Sequence, residues 1–159
     1  MNMPAPSGTS TGEARWRENL IEDSAGIRAL LEQTQRIAVL GMRDEEHAAK
    51  PAFYVPRYLL SAGFEVIPVP VHHPAASSIL GQKAYRNLTD IPGEIDLVDV
   101  FRQSEEINEH LEDILAKGPA AVWFQSGIRN MSAAERLARA GIKVVQDRCL
   151  MIEHRRVKR

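Results

Sequence analysis

Cys149 is the only thiol in the chain, and it follows Ile142-Lys-Val-Val145, a short apolar run that reads as a strand. Asp147 can cap a short helix at that point, and a helix amino terminus lowers the pKa of a nearby thiol. Cys149 is thus a candidate redox residue; the alternative is a small side chain packed beneath the last helix. Five histidines are present. His72 and His73 are adjacent, so on an extended chain they point in opposite directions. His47, His110 and His154 are scattered, without cysteine or carboxylate neighbours at ligand spacing, and no metal site is expected. His47 can hydrogen-bond a phosphate. Asp96 and Asp99 lie three apart in a strand-like run and face opposite sides, so they do not form an acid–base pair; Asp99 is expected to bond backbone or a nearby arginine. Ser126-Gly127 lacks the upstream glycine of a nucleophile elbow. No catalytic residue is therefore assigned.

The run from Gly41 to Tyr54 points instead to anion binding. Gly41 follows a strand, where the absence of a Cβ lets the backbone turn sharply and approach a ligand. Arg43 and Lys50 lie in the same loop, and a helix then starts with its amino end toward the crevice. Free amides and a positive dipole end suit a phosphate there; the alternative is a simple chain reversal with two solvated cations. The loop has one glycine where a dinucleotide fingerprint has three. The second strand ends in Val69-Pro-Val-His-His73, with no acid to hold a ribose. The P-loop pattern is absent as well. The pattern fits a phosphorylated nucleotide held differently from a nicotinamide dinucleotide.

These residues must be positioned by an alternation of strands and helices. Ile37–Leu40, Glu65–Val69, Asp96–Phe101, Ala120–Phe124 and Ile142–Val145 are mostly continuous apolar runs, the pattern of strands covered on both faces. Ser24–Gln33 reads as a helix with Ile27, Leu30 and Leu31 inward. Tyr58, Leu59 and Leu60 before Gly63 mark another, with Pro56 expected in its first turn. Ser104 is expected to cap a helix that opens with Glu105 and Glu106, buries Ile107, Leu111, Ile114 and Leu115, and stops at Gly118-Pro119. Ser132 and Glu135 have capping-box spacing ahead of Gly141. Ile79–Leu88 gives no clear pattern. The result is an α/β, Rossmann-like three-layer sandwich with a parallel five-stranded sheet, expected in the order 3-2-1-4-5, with its ligand beyond the carboxyl ends of the strands.

Composition agrees with a folded domain. The chain of 159 residues is 44% hydrophobic and 26% charged, with a formal net charge of -1. That balance argues against a nucleic-acid binder, and no apolar run approaches the roughly 18 residues of a membrane span. A lone cysteine fits a reducing, cytoplasmic setting. Residues 1–12 are expected to be a disordered leader, 13–35 an N-terminal helical segment, 36–154 the nucleotide-binding domain and 155–159 a solvated basic tail.

Five stretches carry a resemblance: Ile37-Ala-Val-Leu-Gly41, Lys50-Pro-Ala-Phe-Tyr-Val-Pro-Arg-Tyr-Leu59, Val98-Asp-Val-Phe-Arg102, Val122-Trp-Phe-Gln-Ser-Gly-Ile-Arg129 and Val145-Gln-Asp-Arg-Cys-Leu-Met-Ile-Glu-His154. In order and spacing the chain resembles the small single-domain CoA-binding proteins, which are similar to the CoA-binding domain of the succinyl-CoA synthetase alpha subunit. The resemblance implies that Gly41, Met42 and Arg43 line a diphosphate loop and that Lys50 adds charge beside it. Val69 and Pro70 would border the adenosine. Phe101 and Arg102 would flank the nucleotide or the start of the pantetheine arm, and Gln125, Ser126 and Gly127 the outer crevice. The implied ligand is coenzyme A or an acyl-CoA, bound by a carrier, sensor or regulatory module without covalent chemistry of its own. A mixed disulfide between Cys149 and the CoA thiol is conceivable. The alternatives are an NAD(P)-dependent oxidoreductase and an accessory subunit of an acyl-CoA synthetase. The partners the resemblance implies are a second copy of the chain, as a homodimer, or an acyl-CoA enzyme.

Overall fold

Along the central strands, successive side chains leave for opposite faces, and both faces are buried. Ala38 and Leu40, Val98 and Val100, and Val122 and Phe124 pack into one core layer. Ile37 and Val39, Leu97, and Ala121 and Trp123 pack into the other. A strand that buries both of its faces cannot carry polar alternation, which is why these runs read as unbroken apolar stretches. The computed structural model describes residues 15–158, so the leader expected over residues 1–12 lies outside the described part.

Strands β1 (Arg36–Leu40), β2 (Glu65–Val69), β5 (Leu97–Val100), β6 (Ala121–Phe124) and β7 (Lys143–Val145) form one parallel sheet in the order β2-β1-β5-β6-β7. Helices α1 (Ser24–Glu32), α2 (Pro51–Ser61), α3 (Leu111–Lys117), α4 (Met131–Arg139) and α5 (Leu150–Val157) join or cover the strands. The Rossmann-like α/β architecture is as expected. The strand order is not: counted over the five long strands it is 2-1-3-4-5 rather than 3-2-1-4-5. β2 is the edge strand, and a small antiparallel hairpin, β3 (Ser78–Ile79) with β4 (Gln82–Lys83), forms a separate two-stranded sheet, turning through Leu80 and Gly81, both at positive φ. The Tyr85 N–H then donates to the Pro68 carbonyl at 2.9 Å and fixes the following segment against β2. β5 pairs with the other side of β1.

Local details depart from the expected caps. The short 3-10 segment Ser104–His110 is capped by Gln103 in a capping box with Glu106, while Ser104 Oγ accepts the Arg129 N–H. α4 is capped by Asn130, whose side chain accepts the Ala133 N–H, rather than by Ser132. Pro56 lies inside α2, beyond its first turn, and Pro51 holds the N1 position. A proline there leaves the carbonyl four residues back without its helical donor. That carbonyl, on Ala52, accepts the Arg43 N–H at 3.1 Å, so the interruption ties the loop after β1 to α2.

Arg155 and Arg156 belong to the last turn of α5 rather than to a tail. Asp99 does not bond backbone or arginine. It is 0% exposed, registered between Val39 and Trp123, and neither carboxylate oxygen has a partner. Burial pushes its pKa well above the usual carboxylate range. Among the described residues, no helix is long and apolar enough to cross a membrane.

Candidate functional site at the strand ends

The carboxyl ends of β1, β5 and β6 open into a crevice of about 660 Å³, within the range of about 300–1,000 Å³ usual for small-molecule sites. One bank is the loop after β1. Gly41 has φ +87°, and its N–H donates to Val69 O at 2.9 Å. A Cβ built on it would lie under 3.0 Å from the Phe101 carbonyl oxygen. Glycine is therefore required twice, by conformation and by the close passage of the next strand. Arg43 and Lys50 line the same bank, and neither makes an ion pair among the described residues. The Arg43 Nε is buried and without a hydrogen-bond partner. Lys50 is the N-cap residue of α2 but makes no side-chain cap hydrogen bond, so the amino end of an eleven-residue helix meets the crevice with its positive dipole uncompensated by a cap.

The opposite bank comes from the loops after β6 and β7. Gln125 is buried, and its Oε1 accepts the Leu150 N–H at 3.1 Å in the first turn of α5. Gly127 has φ +82° and open space around it. Its N–H donates to Asp147 Oδ1 at 2.6 Å, so Asp147 braces this loop instead of capping a helix. Cys149, half-buried, is itself the N-cap residue of α5 and lines the crevice with Ser126, Ile128 and Ile152. Ile152 is 46% exposed.

Arg102 closes the crevice between the banks. Its Nε donates to His110 Nε2 at 3.2 Å and its Nη1 to His72 Nε2 at 3.4 Å, and its Nη2 pairs with Glu106 at 3.3 Å. Both imidazoles are held below their ordinary pKa, first by burial and then by neighbouring arginines: Arg43 and Arg102 for His72, Arg102 for His110. Each therefore stays neutral at pH 7 and accepts from Arg102.

Of the residues singled out in the sequence, the crevice gathers Gly41, Arg43, Lys50, Phe101, Arg102, Gln125, Ser126, Gly127 and Cys149. It does not gather three others. The Met42 side chain is fully buried in the core, leaving only its backbone in the loop. Val69 and Pro70 line a separate, smaller cavity of about 240 Å³ with Arg86, Asn87 and His110. Tyr54, His72, Gln103, Glu105 and Ile152 were missed; Tyr54, one turn into α2, follows from helical spacing, whereas the others depend on how the loops fold. His47, expected to stand apart, does not. Asp44, His47 and His73 come together beside the first bank.

Residues 35–155 match the family model described as the CoA binding domain. The chain is 35% identical over 130 residues to the uncharacterized protein YneT of Bacillus subtilis (strain 168), covering 82% of this chain and 93% of that one. Its fold is similar to that of the protein cell-free ID.343 from Thermus thermophilus, with a TM-score of 0.79, 41% identity, and 86% and 99% of the two chains covered. It is also similar to a hypothetical protein from Pyrococcus horikoshii OT3, with a TM-score of 0.75, 31% identity, and 87% and 94% covered.

Proposed function

Because this chain belongs to the CoA-binding domain family, we propose that its strand-end crevice binds coenzyme A or an acyl-CoA and that the protein acts as a carrier, sensor or regulatory module. One observation carries the reading: Gly41, Arg43 and Lys50 converge on one bank, with the Arg43 Nε buried and unpartnered. A buried donor without an acceptor is costly, and a diphosphate oxygen supplies that acceptor. The donor set fits the ligand. Arg43, Lys50 and the α2 amino end would hold the diphosphate. The neutral bank of Gln125, Ser126, Gly127 and Ile128 would border the pantetheine arm. Among the described residues no hydrogen bond links Ser126 or Cys149 to a histidine, so neither is read as a histidine-activated nucleophile of acyl transfer. Cys149 on the same bank can exchange with CoA disulfide, its sulfur bonding to one CoA sulfur while the other leaves as thiolate.

Isothermal titration of the purified chain with CoA tests the reading, with NADH as the comparison ligand. Expected is CoA binding well below about 1 mM, a free energy more favourable than about -4 kcal/mol, and much weaker NADH binding. CoA binding no tighter than about 1 mM, or a preference for NADH, overturns it.

A further inference from the structure

Behind the first bank, three ligand-type side chains from two strand-end loops converge. Asp44 and His47 belong to the loop after β1, and His73 follows β2. The Asp44 Oδ1 lies 2.8 Å from His47 Nδ1, and its Oδ2 lies 3.5 Å from His73 Nδ1. The two imidazole centroids are 5.3 Å apart. One donor atom from each residue falls within 4.8 Å of the other two, and all three residues are half-buried. The His73 Nε2 is buried without a hydrogen-bond partner.

From this geometry we propose that Asp44, His47 and His73 form a binding site for a divalent transition-metal ion of the zinc class. Two imidazoles and one carboxylate are the donor set of open zinc sites, with three protein ligands and a fourth position for water or another oxygen. Oxygen-seeking magnesium and calcium are poorly served by two imidazoles. Ligands about 2.1 Å from a tetrahedral ion stand about 3.4 Å from one another. The Asp44 Oδ2–His73 Nδ1 separation already has that value, and the Asp44 Oδ1–His47 Nδ1 pair, at 2.8 Å, would open by about 0.6 Å as the metal displaces the proton between them.

The ion would clamp the loops after β1 and β2 one residue behind the crevice, because Arg43 precedes Asp44, His72 precedes His73, and both Arg43 and His72 line the crevice. The neighbouring strands β1 and β2 hold the two loops side by side, which is why residues far apart in sequence meet.

Equilibrium dialysis of the full chain against zinc alone, followed by elemental analysis, tests the site without reference to CoA. At about 10 μM free zinc, about one equivalent is expected to bind. Asp44→Asn and His73→Gln are each expected to weaken uptake at least tenfold, and His154→Gln, on α5, to leave it unchanged. Cobalt-loaded wild-type protein is expected to show visible d–d absorption of a tetrahedral ion, a readout that does not depend on any variant folding. Uptake below about one tenth of an equivalent, uptake unaltered by Asp44→Asn and His73→Gln, or an octahedral cobalt spectrum overturns the proposal. CoA titration of the metal-free chain is a separate measurement, so the two readings fail separately.

Discussion

The two banks of the crevice solve the same geometric problem differently. Each turns a parallel strand into a loop at a glycine with positive φ, Gly41 after β1 and Gly127 after β6. At Gly41 the next strand passes so close that a Cβ would meet the Phe101 carbonyl; at Gly127 nothing lies within 4 Å of that position. The first bank is cationic and locked, through Gly41 to β2 and through Arg43 to Ala52 of α2. The second is neutral, partly apolar and braced by side chains, Asp147 on Gly127 and Gln125 on Leu150. Fixed donors suit a charged group of constant shape, because dipoles aimed in advance need no reorganisation. A slacker neutral wall suits a long flexible arm whose end varies.

The largest expected effect breaks the locked bank. Gly41→Ala must shift the β5 exit and also places an L-residue in left-handed backbone. Left-handed geometry alone costs about 1–2 kcal/mol, and the backbone clash raises the expected loss to about 3 kcal/mol or more. For a chain of this size that is a fall in Tm of about 10 °C, read by calorimetry, together with loss of CoA binding. A Tm within about 2 °C of the parent would show that the loop relaxes freely and that the two banks do not differ in rigidity.

The next contrast is electrostatic. Arg43→Ala removes a buried, unpartnered donor, and a hydrogen bond to a charged group contributes about 1.5–3 kcal/mol. CoA affinity is expected to fall about 10- to 100-fold, with a weaker dependence on salt than the parent shows. Ser126→Ala, on the neutral bank, is expected to stay within about threefold. Titration at two ionic strengths reads both. Equal losses for the two variants, or no change in salt dependence for Arg43→Ala, would remove the assignment of the diphosphate to the first bank.

Much of this division was legible in the sequence, and what was not has identifiable causes. The five long strands were visible because burial on both faces makes them continuous apolar runs. Their order was not, because the same alternation of strands and helices fits both common doubly wound orders, 3-2-1-4-5 and 2-1-3-4-5. The helix after β5 was foreseen from Ile107, Leu111 and Ile114, but its cap was misplaced by one residue: Gln103 and Glu106 satisfy each other, and Ser104 is drawn toward Arg129. The direction of Met42 was hidden because it depends on the chain path after the turn at Gly41. The Asp44–His47–His73 cluster is not legible along the chain because its third member, His73, lies in the loop after β2, which only the pairing of β1 with β2 brings alongside.

The smallest effect sharpens the comparison most. Gly127→Ala introduces the same left-handed strain as Gly41→Ala but meets open space. Only the conformational cost of about 1–2 kcal/mol is therefore expected, a fall in Tm of about 2–8 °C. Because the Gly127 N–H can keep its bond to Asp147, the loop should hold its course and CoA affinity should remain within about twofold. The difference in Tm between the two alanine variants isolates the close passage of β5, since the backbone strain is common to both. Gly127→Ala as damaging as Gly41→Ala would mean that the second bank is as tightly determined as the first, and the slack assigned to it would have to be given up.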